Sequence, residues 1–249
     1  MSVRRSEGAR LLAEWPEALA VASMALARRC ADGATIWCWS PRWPQHAEHV
    51  AVEFVHPVIV GTRALPAEVV DGPEPLQVLR TVVRAGDVLV LVGEASTTEL
   101  GDVSRRAPAW GVETIWIGCG PPPPAGAADH LVWLDAVSGP AAAAAFDGRL
   151  VLSYHVLWEL THVCFEHPGL LAESADDDAC ATDVHGHCVT CADEGILGEV
   201  AAVVGSAAVV RTPAGLVDID ATLVEPVESG DLVLVHAGVA ISRLGGSAS

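Results

Sequence analysis

The sequence contains no lysine: arginine supplies all 14 basic residues, against 32 acidic residues, and the formal net charge is −18. A chain without lysine cannot form a Schiff base with a carbonyl substrate, and it cannot supply the lysine of a P-loop. Nucleic acids and anionic membrane surfaces bind clustered basic side chains, which this acidic chain does not offer. We therefore expect no nucleic-acid partner and no membrane partner.

Long apolar runs are also missing. No segment reaches the roughly 18 uninterrupted apolar residues that a membrane span needs, and Glu7 and Glu14 interrupt the stretch after the basic N-terminal residues. The seven cysteines are an odd number, which fits a reducing compartment better than a disulfide framework. The sequence therefore predicts a cytoplasmic protein.

The first two thirds of the chain alternate between helical patterns and short apolar runs. Four runs rich in Val, Ile and Leu predict buried strands, at residues 34–39, 86–93, 112–118 and 128–134. Helical patterns flank these runs, at residues 6–30, 45–55, 96–111 and 146–169. This alternation is typical of a parallel sheet that helices cover on both faces. Residues 1–171 are therefore predicted to form a three-layer α/β domain.

The character of the sequence changes after this region. Residues 172–187 are acidic and polar and are predicted to be a linker. From residue 196 the helical pattern ends, and short apolar stretches alternate with Gly, Pro-Ala-Gly and Ser-Gly-Asp turns. We expect residues 188–249 to form a small all-β barrel of the OB-like kind.

Three cysteines and two histidines crowd into the stretch CATDVHGHCVTCADEG, residues 180–195. Cys188, Cys191, His185 and His187 offer four sulfur and nitrogen donors at tight spacing, and such a set can close around Zn²⁺. A structural zinc site normally takes its ligands from two separated pairs, however, and one local cluster holds little chain together. A reactive thiol, a redox dithiol and an inert linker are therefore alternatives to zinc.

The barrel region resembles the HypC/HupF family of hydrogenase assembly chaperones over roughly residues 188–244. The most specific part of this resemblance is GDLVLVHAGVAI, residues 230–241, in which His236 stands within a predicted strand just before a glycine turn. The family's working residue is a cysteine shortly before its first strand. Here that position is internal, and the resemblance assigns it to Cys191 or Cys188.

The resemblance implies a function in hydrogenase maturation. The family carries an iron centre, Fe(CN)2CO, that is built with the scaffold protein HypD and passed to the large subunit of [NiFe]-hydrogenase. A thiolate suits this transient cargo because it is a soft ligand that can exchange to a second protein. His236 would stand near it as a second ligand, a hydrogen-bond partner or a proton carrier.

The α/β region resembles the sugar isomerase (SIS) fold, especially its phosphoheptose isomerase branch. Three segments carry the resemblance: SPRWPQHAEHVAVEF (40–54), residues 86–118 and LVLSYHVLWELTHVCF (150–165). It places Glu53 and His155 on the acid/base pair that moves a proton between sugar carbons. A solvated Glu53 and a structural His155 are the alternatives. The resemblance also implies a homodimer or homotetramer that associates through helices of this domain.

The predicted phosphate loop departs from the isomerase pattern. In VGEASTTE the hydroxyl donors are Ser96, Thr97 and Thr98, while Glu94 and Glu99 flank them. Carboxylates repel a phosphate, which otherwise binds at backbone N–H groups and hydroxyls near a helix N-terminus. The sequence therefore favours a maturation chaperone with a degenerate SIS domain for dimerisation or ligand sensing. A sugar-phosphate isomerase or binding protein is the alternative function.

Overall fold

The structure is a computed structural model that describes residues 3–59, 61–134, 148–171 and 195–244, with the backbone alone for residues 3–14. The chain divides into two compact units. The first comprises Met1–Arg105 and Glu113–Ala172, and the second comprises Arg106–Val112 and Glu173–Ser249.

The first unit is built around a five-stranded sheet with the order β2-β1-β3-β4-β5. All neighbouring strands pair in parallel. The strands are β1 (Ile36–Trp39), β2 (Ala67–Val69), β3 (Val88–Val92), β4 (Glu113–Cys119) and β5 (His130–Leu134). The central strand reads VLVLV, and all five of its side chains are buried. A strand without a polar face is stable only when both faces of the sheet are covered.

Five helices connect and cover these strands: α1 (Val3–Ala31), α2 (Pro44–Val55), α3 (Pro75–Val82), α4 (Thr98–Arg106) and α5 (Gly148–Glu166). Apolar side chains of α1, α2 and α5 share one buried core with strands of the sheet. The predicted parallel α/β fold is confirmed. The sequence patterns missed β2 and α3, because β2 has three residues and α3 has eight, too few to establish a period.

The second unit contains a closed barrel with the strand order β10-β8-β7-β6-β9. Its strands are β6 (Ile196–Val204), β7 (Ala207–Thr212), β8 (Gly215–Asp220), β9 (Leu232–His236) and β10 (Val239–Leu244). All neighbouring strands pair antiparallel except β8 and β10, which pair in parallel through a single residue pair. Small apolar side chains, among them Val200, Val210 and Val233, fill the interior. The predicted small all-β barrel is confirmed.

A buried carboxylate ties the segment Arg106–Val112 to β6 within this second unit. Glu199 is 3% exposed, and its Oε2 accepts a hydrogen bond of 2.7 Å from Trp110 Nε1. The Nε atom of Arg106 lies 3.2 Å from Glu199 Oε1. A buried carboxylate is stable when an opposite charge and hydrogen-bond donors compensate its lost hydration, and both are present here.

A charged triad at the start of β4 generates a prediction about acid stability. Glu113 Oε1 is 2.8 Å from His130 Nε2, and Glu113 Oε2 accepts a hydrogen bond of 2.6 Å from Arg29 Nε. The hydrogen bond from His130, together with that from Arg29 and the charges of both groups, lowers the pKa of Glu113 to about 2. Folding therefore favours the ionised carboxylate.

The direction in which stability changes with pH follows from this lowered pKa. The triad stabilises the fold fully above the ordinary glutamate pKa of about 4.5, and this contribution is lost as pH falls toward about 2. We expect the free energy of unfolding to fall by at most about 3 kcal/mol through this group. Urea unfolding near pH 7 and near pH 3 measures the change. The Glu113→Gln variant should lose less stability between the two conditions than the wild type, and an equal loss would contradict the prediction.

Candidate functional site

Two histidines and a glutamate meet where α2 and α5 pack together. His49 and Glu53 lie one turn apart on α2, and His155 lies on α5. His49 Nε2 is 3.2 Å from Glu53 Oε1 and 3.1 Å from His155 Nε2. The distance from His155 Nε2 to Glu53 Oε1 is 3.5 Å. We call these three residues the His–Glu–His cluster.

The spacing of the cluster fits a metal ion. Zn²⁺ binds nitrogen and oxygen at about 2.0–2.1 Å with tetrahedral angles, so neighbouring ligand atoms in its shell lie about 3.3 Å apart. The three distances of 3.1, 3.2 and 3.5 Å bracket that value. Three protein ligands leave a fourth position for water or a substrate, as catalytic zinc sites do. Among the described residues, this is the one group of three or more candidate ligands close enough to share an ion.

A second layer of side chains orients His49. Its Nδ1 atom lies 2.9 Å from the hydroxyl of Tyr154, and that hydroxyl lies 3.4 Å from His46 Nδ1. When His49 binds a metal through Nε2, its Nδ1–H donates to Tyr154, whose O–H then donates to His46. Such outer partners fix the tautomer and the ring orientation of a ligand histidine.

Tyr154 keeps its proton at neutral pH. Burial, together with the negative charge of Glu53, raises the pKa of Tyr154 to about 12. The phenol is 1% exposed, and its ring contacts the rings of both His49 and His155. Tyr154 is therefore a neutral hydrogen-bond partner with a fixed position beneath the cluster.

Local sequence explains why these side chains point toward each other. Pro44 opens α2, since its fixed φ and missing N–H suit the first helical position. The apolar residues Val50, Ala51 and Phe54 then bury one side of the helix. His49 and Glu53, four residues apart, lie together on the neighbouring strip of its surface, because side chains at this spacing share a helix face.

The structure brings together the two residues that the sequence singled out in this region, Glu53 and His155. The pair's role in proton transfer stays a prediction. Sequence reasoning missed His49 and Tyr154. The spacing His-x-x-x-Glu in HAEHVAVEF was a readable signal, because two ligand types four residues apart on one helix can bind one ion.

The hydroxyls of the predicted phosphate loop follow β3 and differ in exposure. Thr97 is 1% exposed, and its backbone N–H donates to the backbone carbonyl of Glu94, whereas the side chain of Ser96 is exposed. Thr98, the first residue of α4, donates its hydroxyl to the carboxylate of Glu99 at 3.1 Å. The loop therefore exposes the hydroxyls of Ser96 and Thr98, and that of Thr98 is already bonded to a carboxylate.

His236 ends β9 at a tight hairpin. It pairs with Val239 across the turn residues Ala237 and Gly238, which both have positive φ, 48° and 81°. Two consecutive positive φ values are typical of a type I′ hairpin turn, and the glycine adopts its value without strain. The other predicted metal residues of the barrel region, Cys188, Cys191, His185 and His187, lie outside the described residues.

Comparison with solved structures assigns the fold of the first unit. Phosphoheptose isomerase from Francisella tularensis matches with a TM-score of 0.51 and 13% identity, over 64% of this chain and 95% of that one. Phosphoheptose isomerase from Neisseria gonorrhoeae matches at a TM-score of 0.46 and 16% identity, over 64% and 95% of the two chains. The sugar isomerase domain of an RpiR transcription factor from Sphaerobacter thermophilus matches at 0.43 and 19%, over 66% and 87%.

The first of these matches confirms the predicted sugar isomerase fold, and at such low identity it shows the fold alone. Residues 195–247 match the model of the HupF/HypC family, which confirms the predicted resemblance over that part of the chain. No curated protein matches the chain. In the parts of the chain that the structure describes, no helix combines the length and the apolar character that crossing a membrane requires.

The His–Glu–His cluster predicts a metal site that can be titrated. We expect one Co²⁺ to bind per chain and to show the visible absorption spectrum of an ion with a low coordination number. The His49→Ala substitution should abolish this binding. Tyr154→Phe should weaken binding by about 10- to 100-fold, because it removes the outer hydrogen bond. All variants are made in a Cys188→Ala, Cys191→Ala background so that those thiols do not compete.

The matched control is His56→Ala, since His56 is an exposed histidine at the C-terminal end of the same helix. It should leave Co²⁺ affinity unchanged. Equal Co²⁺ binding by the His49→Ala variant and the control would show that the ion lies elsewhere.

Proposed function

We propose that this protein is a maturation factor of [NiFe]-hydrogenase whose barrel carries the Fe(CN)2CO centre as a transient cargo. The match of residues 195–247 to the HupF/HypC family supports this function most directly. That family implies partners in hydrogenase maturation in general. The proposed partners are a scaffold protein like HypD, which supplies the iron centre, and the hydrogenase large subunit, which receives it.

The register of the barrel supports a cargo site near His236. Ile196, the first residue of β6, pairs with Val235, the neighbour of His236. The segment that precedes β6 therefore enters the barrel beside the end of β9. Cys191 precedes Ile196 by five residues and Cys188 by eight, and an extended chain spans at most about 3.6 Å per residue. Cys191 lies within about 18 Å of this position and Cys188 within about 29 Å, so both remain candidates.

The chemistry of these residue types suits the cargo. A cysteine thiolate is a soft donor that binds low-spin iron and exchanges readily with a thiolate of another protein. One thiolate and one imidazole make an incomplete shell, which leaves the iron free to keep its diatomic ligands and to be passed on. A tight cage of four protein ligands would oppose transfer.

The α/β unit serves this function as an association and ligand-sensing domain in our proposal. Its His–Glu–His cluster can hold a divalent ion, and its exposed helical surface includes the apolar side chains Val21, Val52 and Leu152. Exposed apolar side chains on a helix contribute to self-association when a second copy of the chain covers them. We propose a homodimer or a homotetramer through this unit, in the cytoplasm.

The essential-thiol hypothesis predicts a complete loss of maturation. In a strain that lacks the chromosomal gene, the Cys188→Ala, Cys191→Ala double variant should give no hydrogenase activity, because no thiolate remains before β6. The single variants then identify which cysteine acts. His236→Ala should reduce activity while the barrel stays folded.

The matched control is Cys164→Ala, since Cys164 is a buried cysteine of α5 that the proposal does not use. Hydrogenase activity, measured with an artificial electron acceptor in extracts with equal amounts of each variant, is the measurement. Wild-type activity in the double variant would refute the chaperone function.

A second candidate function is aldose–ketose isomerisation of a sugar phosphate. The distance of 3.5 Å between Glu53 and His155, with a possible metal ligand at His49, favours it. An isomerase also needs an anchored phosphate, which holds the reacting carbons against the acid/base pair. The loop after β3 offers Glu94 and Glu99 beside its hydroxyls, and this arrangement opposes a phosphate anchor.

We therefore expect no turnover of sedoheptulose 7-phosphate by the purified protein, with or without added Zn²⁺. The measurement is the formation of aldose phosphate above background, with a known phosphoheptose isomerase as positive control. Turnover that disappears in Glu53→Gln and His155→Ala variants would make the isomerase the better assignment.

A further inference from the structure

The barrel closes through a short contact between β8 and β10. These strands pair in parallel at one residue pair, Val239 with Asp220, and the N–H of Asp220 donates to the carbonyl of Gly238 at 2.9 Å. On its other side, β8 pairs with β7 over its whole length, from Gly215 to Asp220. Among the described residues, the edge of β8 that faces away from β7 therefore has a neighbouring strand only at Asp220.

The hydrogen-bond pattern decides which backbone groups of β8 face this edge. Asp220 forms a non-hydrogen-bonded pair with β7, because the ladder bond beside it runs from the N–H of Ala221 to the carbonyl of Ser206. The β7–β8 register has no bulge, and the two kinds of pair alternate along an antiparallel ladder. Asp218 and Leu216 therefore also turn their N–H and C=O groups away from β7.

This edge is open to solvent. Leu216 is 67% exposed, and Gly215, Val217 and Asp218 are exposed as well. Within the part of the chain that the structure describes, no hydrogen bond occupies the outward N–H and C=O groups of Leu216 and Asp218. A strand edge with such unpaired groups is a template on which another chain can add a strand.

The side chains of β8 define the pattern of a strand that fits beside it. Val217 and Ile219 share the inner face; Ile219 belongs to the barrel core, while Val217 remains 36% exposed. Leu216 and Asp218 lie on the outer face, because successive side chains of a strand point to opposite sides. An added strand therefore covers Val217 with an apolar side chain and places its alternate side chains near Asp218.

Charge decides which kind of chain this edge favours. Residues 212–242 contain five acidic residues and no arginine, in a chain whose formal net charge is −18. A second copy that paired antiparallel through β8 would place like carboxylates across from each other, which is destabilising. A basic segment of another protein meets the opposite charge instead.

We propose that the open edge of β8 docks an extended segment of a partner protein in which apolar residues alternate with arginine or lysine. The segment adds as a strand through main-chain hydrogen bonds to Leu216 and Asp218. Its basic side chains face Asp218, and its apolar side chains cover Val217. The open edge ends at Gly238, in the turn that follows His236, so the docked segment lies beside that hairpin.

Docking at this edge requires neither a cysteine nor an iron centre. It depends on the backbone of β8 and on the acidic character of the surrounding strands. A peptide-binding measurement therefore gives its answer whether or not the protein acts in hydrogenase maturation.

The test is isothermal titration calorimetry of the full chain with a short, end-blocked peptide of alternating valine and arginine. We expect one saturable site. The same peptide with an N-methylated backbone should not bind, because it keeps the side chains but lacks the main-chain donors. A peptide of alternating valine and glutamate should bind more weakly, because its carboxylates face Asp218.

Two substitutions at one position separate the edge from the side chain. Leu216→Pro should abolish binding, because proline lacks the outward N–H, and the barrel should stay folded, since β7 does not use that N–H. The matched control, Leu216→Thr, keeps the N–H and a good strand residue, and its affinity should stay within about twofold of wild type.

Asp218→Arg keeps every main-chain group and reverses one charge. It should weaken binding of the valine–arginine peptide by about threefold or more and strengthen binding of the valine–glutamate peptide, as exposed ion pairs do. This variant tests the proposal even if proline at position 216 disturbs the barrel. Unchanged preference between the two peptides would contradict the assigned charge.

Amide hydrogen exchange, followed by NMR, locates the docked peptide. In the free protein, the amides of Leu216 and Asp218 should exchange faster than those of Val217 and Ile219, which bond to β7. The valine–arginine peptide should slow the first two. Slow exchange at both positions in the free protein, no saturable peptide binding, or a dimer that Leu216→Pro dissociates would overturn the proposal.

Discussion

The first unit depends on the requirement that its parallel sheet be covered on both faces. The central strand β3 buries every side chain, so the sheet cannot face water on either side. This requirement packs α2 against the sheet beside α5, with Phe54 and Tyr154 in the shared core. The same packing brings His49 and Glu53 within 3.5 Å of His155, although these residues are about 100 positions apart along the chain. The geometry of the His–Glu–His cluster is thus a consequence of the core.

Helix α2 contributes to two features of the first unit. One strip of its surface presents nitrogen and oxygen ligands to α5, and another presents Ala47 and Glu48 to a crevice at the carboxyl ends of the strands. The fold is that of a sugar isomerase, yet Glu94 and Glu99 flank the hydroxyls of the loop after β3 and oppose a phosphorylated ligand. Fold and ligand are therefore separable: the sheet fixes where a ligand binds, and the loops after its strands decide which charge the ligand carries.

The second unit places one histidine, His236, at a defined position on a small barrel. Its strands close on themselves, so every strand has a partner on both sides, and β6 and β9 are neighbours although residues 205–231 separate them along the chain. The turn at Ala237 and Gly238 fixes the end of β9 and with it the position of His236. Because β6 begins opposite the end of β9, the chain that carries the cysteine motif joins the barrel beside this histidine.

The sequence by itself determined the fold class of each unit and selected candidate residues for its chemistry. Val-rich runs between helical patterns predicted the parallel sheet, GDLVLVHAGVAI predicted the barrel and His236, and motif resemblance selected Glu53 and His155. These features were readable because they depend on local periods and on short motifs. The sequence missed β2, α3, His49 and Tyr154. Whether two helices meet, and which side chains they then bring together, depends on contacts between distant segments, and only the tertiary structure decides those.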